Sequence, residues 1–399
     1  MKIVGGDEAI GRNFPKIFGL RFLGDFLPIA PVLILFYASN GLNSTQIFTI
    51  QALFHLAVLT LEVPSGYLAD VIGRKRTLAA GALFFPLGFA VYAAGRSFAA
   101  FVLAELLLAV SVSMRSGCDS ALLFDSLKQL GREDEYKRME GRAALFGRAG
   151  TAVSALAGGW LASAFLRLPF IVNVGTALVM PALTVSLEEP RREARRSASP
   201  ALDILRICRH CLREAHIRPL VLLCGLIMAA HVTALWAYFL LYRDLGIAVS
   251  WFGVLFAVYQ LAGAAGSGLA HAASARLGGR TVLAIALLSP LFLIALGLVP
   301  SLFLLALVPA NAFLWNLAYP VLLERLNLAV GSDVRATVLS LASMAGSVMF
   351  IVLAPLFGFI VDAASLAAAF TSLGALFLVG GAALTGAIAR RWPEGKESA

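Results

Sequence analysis

The chain has 399 residues, 60% of them hydrophobic and only 14% charged, with a mean hydropathy of +0.86. This excludes an ordinary soluble globule, because the apolar residues recur in runs of about 20, the length of a bilayer-crossing helix. A net charge of +9 suggests nucleic acid in a soluble protein; in a chain of apolar runs it follows instead from basic residues collected in cytoplasmic loops.

Apolar windows place helices near 17–39, 45–70, 76–95, 98–124, 143–165 and 168–187, and a second set near 219–242, 249–274, 281–299, 301–323, 335–361 and 364–389. The first window is too long for a signal-peptide core and reads as an uncleaved span. Twelve spans put both termini on one side. With the N-terminus inside, the outer loops hold only Arg96, Arg167 and Arg243 of the 32 basic residues, so both termini are expected in the cytoplasm. The expected architecture is an all-α polytopic protein of a bacterial inner membrane, acting as a monomer. It has two parallel six-helix bundles (1–187 and 219–399) joined by a cytoplasmic connector (188–218).

Taken in order, the first span carries Arg21 and Asp25 one turn apart, followed by Pro28 and Pro31, which break the helix and free carbonyls near mid-membrane. A charge at that depth costs several kcal/mol unless paired or hydrated, so Asp25 is the first candidate for a proton site. Asn43-Ser44-Thr45 fits the glycosylation triplet, but in so short a loop it reads as a turn and helix cap. In the second span Glu62 lies two turns before Asp70 on nearly the same stripe. Then comes Pro64 to Leu78, PSGYLADVIGRKRTL, where Gly66 and Asp70 share a face, Gly73 ends the helix, and Arg74, Lys75 and Arg76 form a basic knot.

The fourth span has Glu105 in its outer part, then Arg115 and Asp119 at i and i+4, where they can neutralise each other. A structural ion pair and a role in transport both fit that spacing. His55 and Arg148 read as packing residues. In the connector, residues 201–215 have the periodicity of a basic amphipathic helix on the inner membrane surface and contain Cys208-Arg209-His210-Cys211. With no second ligand pair nearby, a metal site is not expected, and neither is a disulfide among the four cysteines. The second half places His231, Trp236 and Tyr238 on its first span, and Asn311, Trp315, Asn316 and Tyr319 on its fourth. Aromatics and amides suit the cavity wall of an amphipathic ligand; for Trp315 and Tyr319 an interfacial belt fits equally.

The halves also echo each other. Gly73-Arg74-Lys75 aligns with Gly278-Gly279-Arg280, and Ala149-Gly150 with Ala345-Gly346. Together with the long central connector and the run Gly66, Leu68, Ala69, Asp70, Gly73, Arg74, Lys75, this resembles the major facilitator superfamily of secondary transporters. The resemblance implies that Asp70 and its loop hold an inner gate, Gly66 permitting close helix approach. It also implies that helices 1 and 4 line the cavity, which gives Arg21, Asp25, Arg115 and Asp119 roles in proton coupling or substrate binding; Glu62, on the stripe of Asp70, belongs instead to the interface between the halves, where its protonation can couple to gating. Gly150, Gly158 and Gly159 fit the outline seen in proton-driven exporters, with Ser154 and Ala155 replacing its central Gly-Pro.

The function so implied is proton-coupled efflux of a small organic solute by rocking of two halves around a midplane site. An importer of a nutrient or metal chelate, with Arg115 holding an anionic substrate, is the nearest rival, and a non-transporting receptor or assembly protein the rival of another class. No P-loop lysine, zinc-type histidine pair or nucleophile elbow is present, so no enzyme is expected, and no catalytic residue or bound metal. The only cofactor expected is a proton gradient, and the only partners a small-molecule substrate and the lipid bilayer, with no nucleic acid.

Overall fold

The computed structural model describes residues 4–191, 213–277, 280–299, 301–331 and 334–391, and all regular structure among them is helical. The first expected span is two helices, α2 (Asn13–Asp25) and α3 (Leu33–Ser39), preceded by α1 (Val4–Gly11). Pro28 and Pro31 keep residues 26–32 out of the helix, as their missing N–H groups require. The freed carbonyls are met from within the protein. Asn173 donates to the Phe26 carbonyl at 3.0 Å and the Thr151 hydroxyl to that of Asp25 at 3.5 Å.

Helix α4 (Ser44–Ile72) starts at a reciprocal cap: the Gln46 N–H donates to Asn43 Oδ1 at 2.9 Å and the Asn43 N–H to Gln46 Oε1 at 3.2 Å. The triplet there is thus a helix cap, as expected. Helix α4 ends at Gly73, whose φ of 107° disfavours any residue with a Cβ, and α5 (Arg74–Ala94) begins at the next residue. The fourth expected span is not one helix. It divides into α6 (Phe98–Arg115) and α7 (Cys118–Gln129) at Gly117, which is left-handed at φ 73°. The fifth begins earlier than its apolar window implied: α8 runs Tyr136–Ala164, because charged residues at a helix's wet end lower hydropathy without disturbing the helix. Helices α9 (Leu168–Ala177) and α10 (Val179–Ser186) close the first half.

After the connector come α11 (Ile217–Asp244), α12 (Phe252–Leu277), α13 (Arg280–Leu298), α14 (Leu307–Leu328), α15 (Arg335–Ala363) and α16 (Leu366–Arg391). Among the described residues nine helical stretches are long and apolar enough to cross a membrane, and α13 adds the shorter apolar stretch Ile285–Leu298. The amphipathic connector segment with Cys208 and Cys211 lies outside the described residues, as does Gly278-Gly279. Cys118 and Cys224 are buried free thiols.

The chain divides into two compact units, and the division exchanges two short pieces. Asn43–Ala52, the start of α4, groups with the second unit, and Ala248–Val254 with the first. The first unit has an aromatic core of Phe36, Tyr37, Tyr92, Phe101 and Phe170, with Phe36 and Phe170 ring centroids 4.0 Å apart. The second packs Tyr238, Trp315, Phe350 and Phe370. Each uses a small-residue contact between helices, and these fall at the echoed positions. A Cβ on Gly150 of α8 would run into the Phe22 carbonyl of α2, and one on Gly225 of α11 would lie 3.0 Å from the Ala345 carbonyl carbon of α15.

Candidate functional site

Helices α2, α6, α7 and α8 bring five charged side chains of the first unit together. Arg21 Nε lies 2.8 Å from Asp119 Oδ2, Arg21 Nη2 lies 3.0 Å from Glu140 Oε1, and Arg115 Nη2 lies 3.5 Å from Asp25 Oδ1. Arg115 and Asp119 do not form the direct ion pair their spacing suggested. The turn at Ser116-Gly117 removes the i, i+4 relation, and each guanidinium pairs instead with a carboxylate of the other span, Arg21 with Asp119 and Arg115 with Asp25. Neighbouring glycines make room for this. A Cβ on Gly24 would overlap the Arg115 guanidinium, and one on Gly147 the Asp25 carboxylate.

Ser120 ties the cluster together: its hydroxyl donates to Glu140 Oε1 at 2.9 Å and accepts from Arg21 Nη2 at 2.6 Å, while its N–H donates to Asp119 Oδ1 at 2.8 Å. Glu140 and Ser120 were not legible as site residues because Glu140 precedes the apolar window of its span. Its phase was the available signal, since Glu140 and Gly147 are two helical turns apart on one face. Glu62 joins none of these ion pairs and is exposed on α4.

At the Pro64–Leu78 loop the basic knot is tied down inside the first unit. The N–H groups of Arg74 and Lys75, the open first turn of α5, donate to the two oxygens of Glu189 at 2.9 and 2.8 Å. The Arg74 side chain forms an ion pair with Asp125 of α7 and donates to the Ala121 carbonyl. Glu188 is strapped alongside, its N–H donating to Asn13 Oδ1 and its carbonyl accepting from Asn13 Nδ2, each at 2.9 Å. Glu189 and Asp125 carry no sequence signal, since an acid in a polar loop looks ordinary until the chain closes on it. Asp70 and Gly66 are exposed, and a Cβ on Gly66 would meet nothing within 4 Å.

In the second unit Tyr238 and Asn311 meet directly. Asn311 Nδ2 donates to the Tyr238 hydroxyl at 3.0 Å, and the Ser289 hydroxyl donates to Asn311 Oδ1. His231 lies 3.1 Å through Nδ1 from the Tyr259 hydroxyl, and its ring stands edge-on to Trp315 at 4.6 Å between centroids. The indole nitrogens of Trp236 and Trp315 are buried without a hydrogen-bond partner among the described residues. Asn316 turns its amide to the Ala312 carbonyl at 2.9 Å. Trp315 is buried within the unit and is not part of an interfacial belt.

The family profile described as Major Facilitator Superfamily matches residues 17–239, more than half of the chain. The chain belongs to the Major Facilitator Superfamily. An uncharacterised MFS-type transporter of Bacillus subtilis (strain 168), YxaM, is 25% identical over 385 residues, covering 93% of each chain. Among solved structures, the nucleoside transporter NupG superposes with a TM-score of 0.75 at 13% identity, over 99% of this chain and 100% of that one. A bacterial homologue of the human lysosomal transporter Spinster superposes with a TM-score of 0.72 at 17% identity, over 96% and 97%. At these identities the solved structures establish the fold alone. The protein is thus an MFS-type transporter embedded in a membrane, and not an enzyme.

Proposed function

We propose that this MFS protein is a proton-coupled exporter of a small amphipathic organic solute, working by alternating access across a bacterial inner membrane. Twelve spans and cytoplasmic termini complete the reading, with a single chain as the working unit and the proton gradient as its only energy source. The observation that carries it is the crossed pairing of Arg21 with Asp119 and Arg115 with Asp25, at the places where the first and fourth spans are broken. A purely structural bundle has little reason to keep four charges at such depth. A pair that crosses helices can be undone by one proton on its carboxylate, which makes helix position depend on protonation. Glu62 stands as a further carboxylate for coupling, and Asp70 with Gly66, Gly73, Arg74 and Lys75 as the inner gate.

His231, Trp236, Tyr238, Asn311, Trp315 and Asn316 are the proposed solute-contacting set, supported by the two unpartnered indole donors among them. One observation favours import of an anionic solute as the second reading: Arg115 Nη1 is buried without a hydrogen-bond partner among the described residues, a cationic donor that an anion would satisfy. Purified protein in liposomes tests coupling. Solute flux is expected to follow an imposed pH gradient and to collapse in Asp25→Asn and Asp119→Asn; flux indifferent to the gradient removes the proton from the mechanism.

A further inference from the structure

We propose that Asp362, in the last turn of α15, is a positioning residue for transport: its carboxylate holds the start of α4 in the second unit and releases it when the protein changes arrangement. This role rests on alternating access in the reading above, and on neither the proton nor the solute. The charge itself is out of place. A helix ends on carbonyls that favour cations, yet α15 has no basic residue in its last turn and carries Asp362 there. Asp362 is exposed, so core packing does not demand it.

The contact made by Asp362 accounts for the charge. Its Oδ1 accepts the Ser44 N–H at 2.9 Å, and its Oδ2 accepts the Thr45 N–H at 2.7 Å and the Thr45 hydroxyl at 2.6 Å. Those two N–H groups belong to the open first turn of α4, where the helix has no carbonyl to offer them and a negative charge is favoured. The next N–H, that of Gln46, is already served by Asn43. The end of α15 is shaped for the same neighbour. A Cβ on Gly358, one turn before Asp362, would lie 2.5 Å from the Ser44 carbonyl oxygen, and the Phe357 and Phe48 ring centroids are 5.1 Å apart. Glu189 caps α5 with two oxygens in the same manner, but wholly within the first unit.

Helix α4 makes this cap conditional. Its residues through Ala52 group with the second unit and the rest with the first, where the Ser65 hydroxyl donates to the Ser113 carbonyl of α6 at 2.9 Å. One helix is therefore fastened at its start to α15 and further along to the first unit, and a change of arrangement has to undo one of the two attachments. The cap is the one that water can replace, because its N–H groups and its exposed carboxylate are hydrated on separation. Pro355, seven residues before Asp362, leaves the Ile351 carbonyl without its usual helical donor and gives the end of α15 a place to bend. The carboxylate thus favours the arrangement in which α4 starts on α15 without locking it.

Double electron–electron resonance on the full-length protein in liposomes tests the assignment with no solute and no gradient. Spin labels are placed at two exposed positions, Ser39 at the end of α3 and Ala364 just after α15, with the four native cysteines replaced by alanine. The labelled parent is expected to show mainly a shorter distance. In Asp362→Ala a longer component is expected to grow relative to it by about tenfold or more, because three charge-assisted bonds that favour one arrangement are gone. Thr45→Val, which removes one of the three and keeps both N–H groups, is expected to give a smaller increase, and it decides in the same way should Asp362→Ala not fold. Gly358→Val, which leaves the carboxylate in place and crowds the start of α4, is expected to raise the longer component as well. A cap with a structural role only lowers the unfolding midpoint of Asp362→Ala and leaves the parent's distribution unchanged; that result, or a longer component that grows in Gly358→Val alone, overturns the proposal. Flux that ignores a pH gradient removes the proton-coupled reading and leaves this assignment standing.

Discussion

Arg21 is the residue on which most of the site depends, because it reaches both Asp119 and Glu140 from one guanidinium. The Asp119 side chain is only 7% exposed. Removing the partner of such a buried charge leaves it uncompensated, and Arg21→Met is expected to destabilise the protein by about 3–5 kcal/mol, whereas Arg21→Met with Asp119→Leu recovers a good part of that loss. Unfolding midpoints in detergent measure both; a double variant no more stable than the single one shows that the pair is not coupled. Asp25, Arg21, Arg115 and Asp119 were all legible as intramembrane charges in the sequence. Their partners were not, because an i, i+4 spacing presumes a continuous helix and one left-handed glycine annuls it.

The helices themselves set that geometry through their interruptions. Gly117 stands at φ 73°, where a Cβ is disfavoured, so Gly117→Ala is expected to cost about 1–2 kcal/mol in stability. It also favours joining α6 to α7, which would return Arg115 and Asp119 to one face and lower flux more than the stability loss explains. Wild-type flux in that variant would mean that the break has no functional part. At α5 the cap supplied by Glu189 satisfies two first-turn N–H groups, and Glu189→Ala is expected to cost about 1 kcal/mol. Hydrogen exchange at the Arg74 and Lys75 amides should quicken in the same variant, and unchanged protection there would show that water caps the helix equally well. The break at Pro28-Pro31 and the stop at Gly73 could be read from residue type, since proline and glycine act locally. The carboxylate that caps α5 arrives from a distant part of the chain and could not.

At the scale of the whole molecule, transport asks for two arrangements of one chain, and the loop from Pro64 to Leu78 is where the sequence suggests a gate. Gly66 faces open space here, so Gly66→Leu is expected to insert and to match the wild type in stability while abolishing transport, and Asp70→Asn is expected to insert and to abolish transport. Near-normal flux in both would leave the loop a marker of topology. Membership of the superfamily, helical class and membrane residence were determined by the sequence itself, because apolar run length and the loop motif are properties of neighbouring residues that a bilayer reads directly. Tertiary structure alone decided which charges meet: the exchange of partners between Arg21, Asp25, Arg115 and Asp119, and the entry of Glu140 and Ser120 into their cluster. Pairing in a packed interior depends on where helices stop and which backbones approach over glycine, and no spacing along the chain encodes that distance.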